Sequence, residues 1–259
     1  MEQKKEMNVY VYVLILTSVT ALILSVLYTS LNPMFVANKA AAKRKAILKC
    51  IPAKMDLGDD KKVNEAYAKI EMIAVSPAGE VYDTTKLEAI NAMVANGAKK
   101  YNNLEQLDLA NEEKKNEKDR VYPVYKYSGE KTYYVVAVRG NGLWDKIWGY
   151  IALEEDLNTV AGVFFDHKNE TPGLGAEIKD SEAFKEQFVG KKIYDEKEEV
   201  QLAVIKREPP KGDEHNVKGI SGATITCDGV TNMFQNGMKH YDNYFEVLKP
   251  KSKVSDASL

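Results

Sequence analysis

From Val9 to Leu31 the chain carries no charged side chain, and nothing later in it repeats that pattern. At 1.5 Å per residue a helix over this stretch spans roughly 34 Å, enough for a hydrocarbon core of ~30 Å. Tyr10, Tyr12 and Tyr28 lie toward its two ends, where interfacial aromatic residues belong. A cleaved signal sequence has a shorter apolar region, ~7–15 residues, and Val36-Ala37-Asn38-Lys39-Ala40 is a poor cleavage site. The pattern predicts an uncleaved transmembrane helix over 9–31, after an N-terminal tail of residues 1–8.

Beyond the anchor the pattern is mixed. Residues 32–55 read as a juxtamembrane segment, with a helix from Lys39 to Ile51 that Pro52 ends. Ile70 to Val75 reads as a strand ending at Ser76-Pro77-Ala78-Gly79. A helix capped by Asp83 or Thr84 runs through Leu87, Ile90, Met93 and Val94 and closes at Gly97. The charge run Asn111 to Asp119 reads as a solvated helix or loop. Strands are predicted at Thr132–Val138, Ile147–Leu153, Val160–Phe165 and Val200–Ile205. The third is reached through the Asp156-Leu157-Asn158 turn. A short helix covers Ala183 to Val189. A last one runs from Asp228 to Leu248, with Val230, Met233, Phe234, Met238 and Tyr241 at helical spacing as core. Strands joined by short turns, with helices at the ends, indicate an α+β fold with a largely antiparallel sheet. The organisation is then a first soluble part at 56–120, a main domain at 121–248 and a polar tail at 249–259.

Composition removes several function classes. Acidic residues match basic ones, 38 against 36, which argues against a nucleic-acid partner. The two cysteines, Cys50 and Cys227, form no CxxC or CxxH pattern. His167, His215 and His240 share no ligand spacing, so no metal site is expected. No GxGxxG follows a strand, which removes a Rossmann site.

Three segments carry candidate chemistry. In Ser221-Gly222-Ala223-Thr224-Ile225-Thr226, small residues lie between hydroxyl residues ahead of a helix. A phosphate there would meet backbone N–H groups and the positive end of the helix dipole. Gly140-Asn141-Gly142-Leu143-Trp144 precedes one predicted strand, and Glu170-Thr171-Pro172-Gly173-Leu174-Gly175 follows another. Taken singly, each reads as a turn or a cap.

Together and in this order, the three resemble the C subunit of the sodium-translocating NADH:quinone oxidoreductase, a family with an FMN-binding domain. The resemblance is dense from about Val121 to Tyr244, includes the anchor, and is slight between Lys49 and Arg120. The G subunit of the related Rnf complex is similar at the other two segments, Glu170 to Gly175 and Ser221 to Thr226. Gly140 to Trp144 favours the sodium-translocating enzyme. A membrane-anchored assembly subunit without a working flavin is the reading from another class.

The resemblance implies FMN on Thr224 through a phosphoester, with Ser221, Gly222, Ala223 and Thr226 around it. Leu143, Trp144 and Leu174 would then wall the isoalloxazine ring. Thr171 and the backbone of Gly173 to Gly175 would meet its polar edge, Glu170 would count among the cofactor-binding residues, and Lys206 would favour the flavin's negatively charged forms. The family usually has an aspartate three residues before Ser221; here it is Lys218. A flavin transferase and the other subunits of a membrane oxidoreductase are the implied partners. The implied role is an electron relay, since no acid–base pair marks a substrate site. Lys39, Lys43, Arg44, Lys45 and Lys49 follow the anchor, and the positive-inside rule would place that side in the cytoplasm. The family implies the opposite: a bacterial inner membrane with the domain on the periplasmic side. The second placement is the one expected, because long domains translocate despite such charge.

Overall fold

The computed structural model describes residues 8–53, 55–82 and 107–249. The expected helix from Asp83 to Gly97 and the two tails lie outside the described residues, apart from Asn8 and Lys249 at their edges. Helix α1 runs unbroken from Val9 to Lys49, with Pro33 inside it. It includes both the expected transmembrane stretch 9–31 and most of the helix expected from Lys39 to Ile51. It is long and apolar enough to cross a membrane. By internal contacts the chain forms two units, residues 1–43 and 44–259.

In the second unit, α2 (Asp60–Tyr67) is capped by the Asp59 side chain, which accepts from the N–H of Lys61. Strands β1 (Ile70–Val75) and β2 (Val81–Tyr82) follow, then the short helix α3 (Leu109–Glu112). Next comes a four-strand meander: β3 (Tyr122–Ser128), β4 (Thr132–Asn141), β5 (Lys146–Leu153) and β6 (Val160–His167). The sheet order is β2-β1-β3-β4-β5-β6, antiparallel throughout. The sequence pattern does not predict β3, because Pro123 argues against a strand pairing on both sides. It sits at the second position of β3, opposite Ala74.

The continuous apolar run of β4 has a simple cause: both sheet faces are covered. Val136 and Val138 point into one core, and Tyr133 and Val135 into another with Ile47, Leu48 and Cys50. After β6 come short helices α4 (Glu177–Asp180) and α5 (Glu182–Glu186). The expected strand Val200–Ile205 is only β7 (Ala203–Ile205). It pairs in parallel with β8 (Asn216–Lys218), apart from the main sheet.

Helix α6 (Thr224–Gly237) lies on β4, and a 3₁₀ turn at Met238–His240 separates it from α7 (Asp242–Leu248). The single long helix expected here is broken because Tyr241 turns inward. It is fully buried, and its hydroxyl donates to the Ala137 carbonyl at 2.8 Å. The N-terminal half of the charge run also differs from expectation. Glu112 and Lys115 form a buried ion pair at 2.8 Å, and Glu112 also accepts the N–H of Val121 at 2.8 Å.

Candidate functional site

The three segments meet at the N-terminal end of α6. The β4–β5 hairpin turns at residues 142–145, closed by the Gly142 N–H to the Asp145 carbonyl at 2.8 Å, and carries Leu143 and Trp144. After β6, residues 170–176 fold into tight turns in which Leu174 and Ala176 both donate to the Thr171 carbonyl at 3.1 Å. The third segment leaves β8, and the Gly219 N–H donates to the Ile205 carbonyl at 2.7 Å. Gly222 then takes φ +78°, and a Cβ there would stand 2.8 Å from Leu174 Cδ2. Only glycine combines that backbone with that approach.

Thr224 is the first residue of α6, earlier than the expected start near Asp228. Ala223, which precedes it, makes no side-chain cap. The first helical ladder bond joins the Cys227 N–H to the Ala223 carbonyl at 2.9 Å. The N–H groups of the first turn thus have no partner within the helix, and the dipole adds partial positive charge there.

Glu170 ties the segments together. One carboxylate oxygen accepts the Trp144 backbone N–H at 3.0 Å, and the other accepts the Thr226 hydroxyl at 2.7 Å. Its own N–H donates to His167 Nδ1 at 3.1 Å. Its carboxylate occupies the space a Cβ would need at both Gly142 and Gly175.

Between the segments lies a cleft of about 200 Å³ lined by Leu143, Glu170, Thr171, Leu174 and Gly175 on one side and residues 222–226 on the other. Thr224 is half-buried in it, Thr226 is buried, and Ser221 lies exposed outside the lining. Trp144 stands beside the cleft, 67% exposed, with its indole N–H donating to Thr171 Oγ1 at 3.2 Å. Lys206 is exposed and does not line it. Lys218 pairs with Glu208 at 2.7 Å, so a carboxylate accompanies the charge that replaces the family's aspartate.

Ile225 is a wall residue that the motifs do not announce. It is 57% exposed on the cleft wall. A signal for it exists in the sequence: an apolar residue beside Thr224, out of helical phase with Val230 and Phe234. Burial raises the pKa of Cys227, against the opposing effect of the Ile220 N–H that donates to its sulfur at 3.3 Å.

These parts fit a flavin mononucleotide: a hydroxyl and free donors for the phosphate, and Leu143, Leu174 and Ile225 as apolar walls. A smaller cavity of about 50 Å³ at the other end of α6 is lined by Arg120, Tyr122, Arg139 and His240 among others. Its cations are engaged, Arg139 with Glu113 at 3.1 Å and Arg120 with the Lys115 carbonyl at 3.2 Å.

A family model described as an FMN-binding domain matches residues 142–239. The C subunit of the Na(+)-translocating NADH-quinone reductase from Vibrio anguillarum is 44% identical over 100 residues, 39% of each chain. The match thus spans well under half of that relative's length. The same subunit from Haemophilus ducreyi is 31% identical over 226 residues, 86% of each chain. Among solved structures, that subunit from Parabacteroides distasonis superposes with a TM-score of 0.68 at 30% identity, covering 86% of this chain and 98% of the other. The Shewanella oneidensis NqrC structure gives 0.66 at 27%, covering 82% and 99%. With agreement over most of both lengths, the chain belongs to the family formed by the C subunit of the Na(+)-translocating NADH-quinone reductase.

Proposed function

We propose that this cleft carries FMN bound covalently to Thr224, and that the chain relays electrons as one subunit of a sodium-pumping NADH:quinone reductase. The observation that carries the reading is the state of the three hydroxyls. Thr224 opens α6 and lines the cleft, Thr226 is committed to Glu170, and Ser221 lies outside. Thr224 is thus the hydroxyl left to hold a phosphate at the helix N-terminus.

Bound there, FMN would supply reversible electron transfer. The chain's own residues do the rest. Leu143, Leu174 and Ile225 exclude water from the ring, and the first turn of α6 offsets the phosphate charge. A flavin transferase installs the cofactor, and other subunits react with NADH and quinone. The relatives named above all belong to the Na(+)-translocating reductase, which favours this reading over an Rnf-type role. The anchor α1 holds the domain at the inner membrane, with the domain on the periplasmic side.

Flavin fluorescence of the denatured full-length chain tests attachment, since only a covalent flavin survives denaturation. Thr224→Val keeps the volume and removes the oxygen. The expected result is complete loss of the flavin mass from the peptide containing residue 224. Flavin retained in that variant, or found on Thr226, overturns the assignment. A fluorescence-free wild type supports the non-redox assembly subunit instead. For topology, protease added to cells with a permeabilised outer layer should cut the domain; full protection reverses the orientation.

A further inference from the structure

We propose that the Glu170 carboxylate lowers the reduction potential of the flavin held in this cleft. The inference rests on the flavin reading above and adds a role for one acidic side chain. Glu170 is only 5% exposed, yet it lines the cleft beside Thr224. The donors on its oxygens are neutral: the Trp144 backbone N–H and the Thr226 hydroxyl. His167 meets Glu170 at its backbone: its Nδ1 accepts the Glu170 N–H, so that nitrogen donates nothing to the carboxylate. Among the described residues the ion pairs include none with Glu170.

The chain holds this side chain in place with some precision. Two glycines, Gly142 and Gly175, leave the room its oxygens occupy, and a Cβ at Gly175 would also stand 2.6 Å from Thr226 Oγ1. If the site needed only a hinge between three loops, a neutral amide would serve. An acid with neutral partners instead leaves negative charge in a poorly solvated wall. Reduction adds electrons to the ligand in the cleft, and a negative neighbour at short range opposes that. The first turn of α6 offsets part of the charge through its dipole, which lets the acid persist there without a cation.

The test uses the full-length, flavin-loaded chain in detergent and compares it with Glu170→Gln and Thr226→Val. Glutamine keeps the shape, can still accept from Trp144, and removes the charge. Valine at 226 keeps the charge and breaks one of the two bonds. Spectroscopic redox titration at fixed pH reads the potential, and denatured-state fluorescence reads the flavin content. The expected result is a higher potential in Glu170→Gln, read on the flavin that the variant holds. A tenfold change in the preference for reduced flavin corresponds to about 59 mV for one electron. Thr226→Val should not rise. Equal potentials in wild type and Glu170→Gln overturn the proposal. So does an equal rise in Thr226→Val, which would mean that loop geometry sets the potential. Loss of flavin from Glu170→Gln alone overturns it as well, making the residue a holder of the cofactor. A wild type without flavin fails the underlying reading, and with it the proposal, and is separately recognised by its lack of fluorescence.

Discussion

The two ends of α6 are built on opposite principles. At the C-terminal end polar groups are drawn inward, and several find partners there. Tyr241 bonds the Ala137 carbonyl, His240 stacks on Tyr122 at 4.3 Å, and the Glu112–Lys115 pair lies almost fully out of water. At the N-terminal end apolar groups are pushed outward. Leu143, Trp144, Leu174 and Ile225 are all exposed around a cleft. One helix on one strand supports both, so neither helix propensity nor strand pairing explains the contrast. Burying charge is costly and is tolerated where partners are complete. Leaving several large apolar side chains together in water is also unfavourable, and such a patch marks a surface made for another molecule. The closed end belongs to folding, and the open end is the one we propose to bind.

That contrast is most easily broken at the closed end. Lys115→Ala removes one partner of a buried ion pair, a loss that typically costs 3–5 kcal/mol, so about that much stability should disappear. Urea unfolding of the membrane-free domain measures it. The flavin content of the molecules that remain folded should not change. A cost below about 1 kcal/mol would mean that the pair behaves like an exposed one, and the distinction between the ends would collapse.

The open end predicts the reverse. Leu174→Ala and Trp144→Ala remove exposed side chains, so stability should move by no more than about 0.5 kcal/mol. Flavin content should hold as well, since Thr224, the proposed attachment residue, is untouched. The environment of the ring should change. If either side chain contributes unequally to the oxidised and reduced flavin, each 1.4 kcal/mol of inequality appears as about 59 mV for one electron. Redox titration of wild type and both variants checks this. Identical potentials and identical flavin fluorescence in all three would return both residues to ordinary surface.

The two ends also differ in how far the sequence discloses them. The open end is expected from the resemblance of three short segments to a family, since each segment taken singly reads as a turn or a cap. Their meeting is not legible from pattern. It depends on Glu170 reaching both Trp144 and Thr226, and no periodicity encodes a contact across 56 residues. The closed end is partly hidden. The run from Asn111 to Asp119 has the composition of a solvated segment, and the fold nonetheless buries Glu112 and Lys115 within it. Strands β4 to β6 are nearly as the pattern predicts, because two covered faces produce long Val/Ile/Tyr runs. Pro123 hides β3, and Tyr241 hides the break after α6, since it keeps helical spacing while turning the chain.

The smallest expected effect concerns pH and again separates the ends. Burial lowers the pKa of His240 below its ordinary 6.5, and the charge of Arg120 pushes the same way. The fold therefore prefers neutral His240, while the unfolded chain protonates it near 6.5. A depressed folded pKa contributes stability that is present above the unfolded value and is lost as pH falls through the folded one. Acidification from about pH 7.5 toward 5 should thus lower the Tm of the domain. His240→Phe keeps a ring against Tyr122 and removes the titrating group, so its Tm should fall less over the same range. Acids that titrate in both proteins cancel in the difference. The flavin content, set at the far end of α6, should be the same in both at every pH. Parallel Tm curves would show that His240 is not held neutral by the fold. A flavin loss in the variant would show that the two ends are coupled.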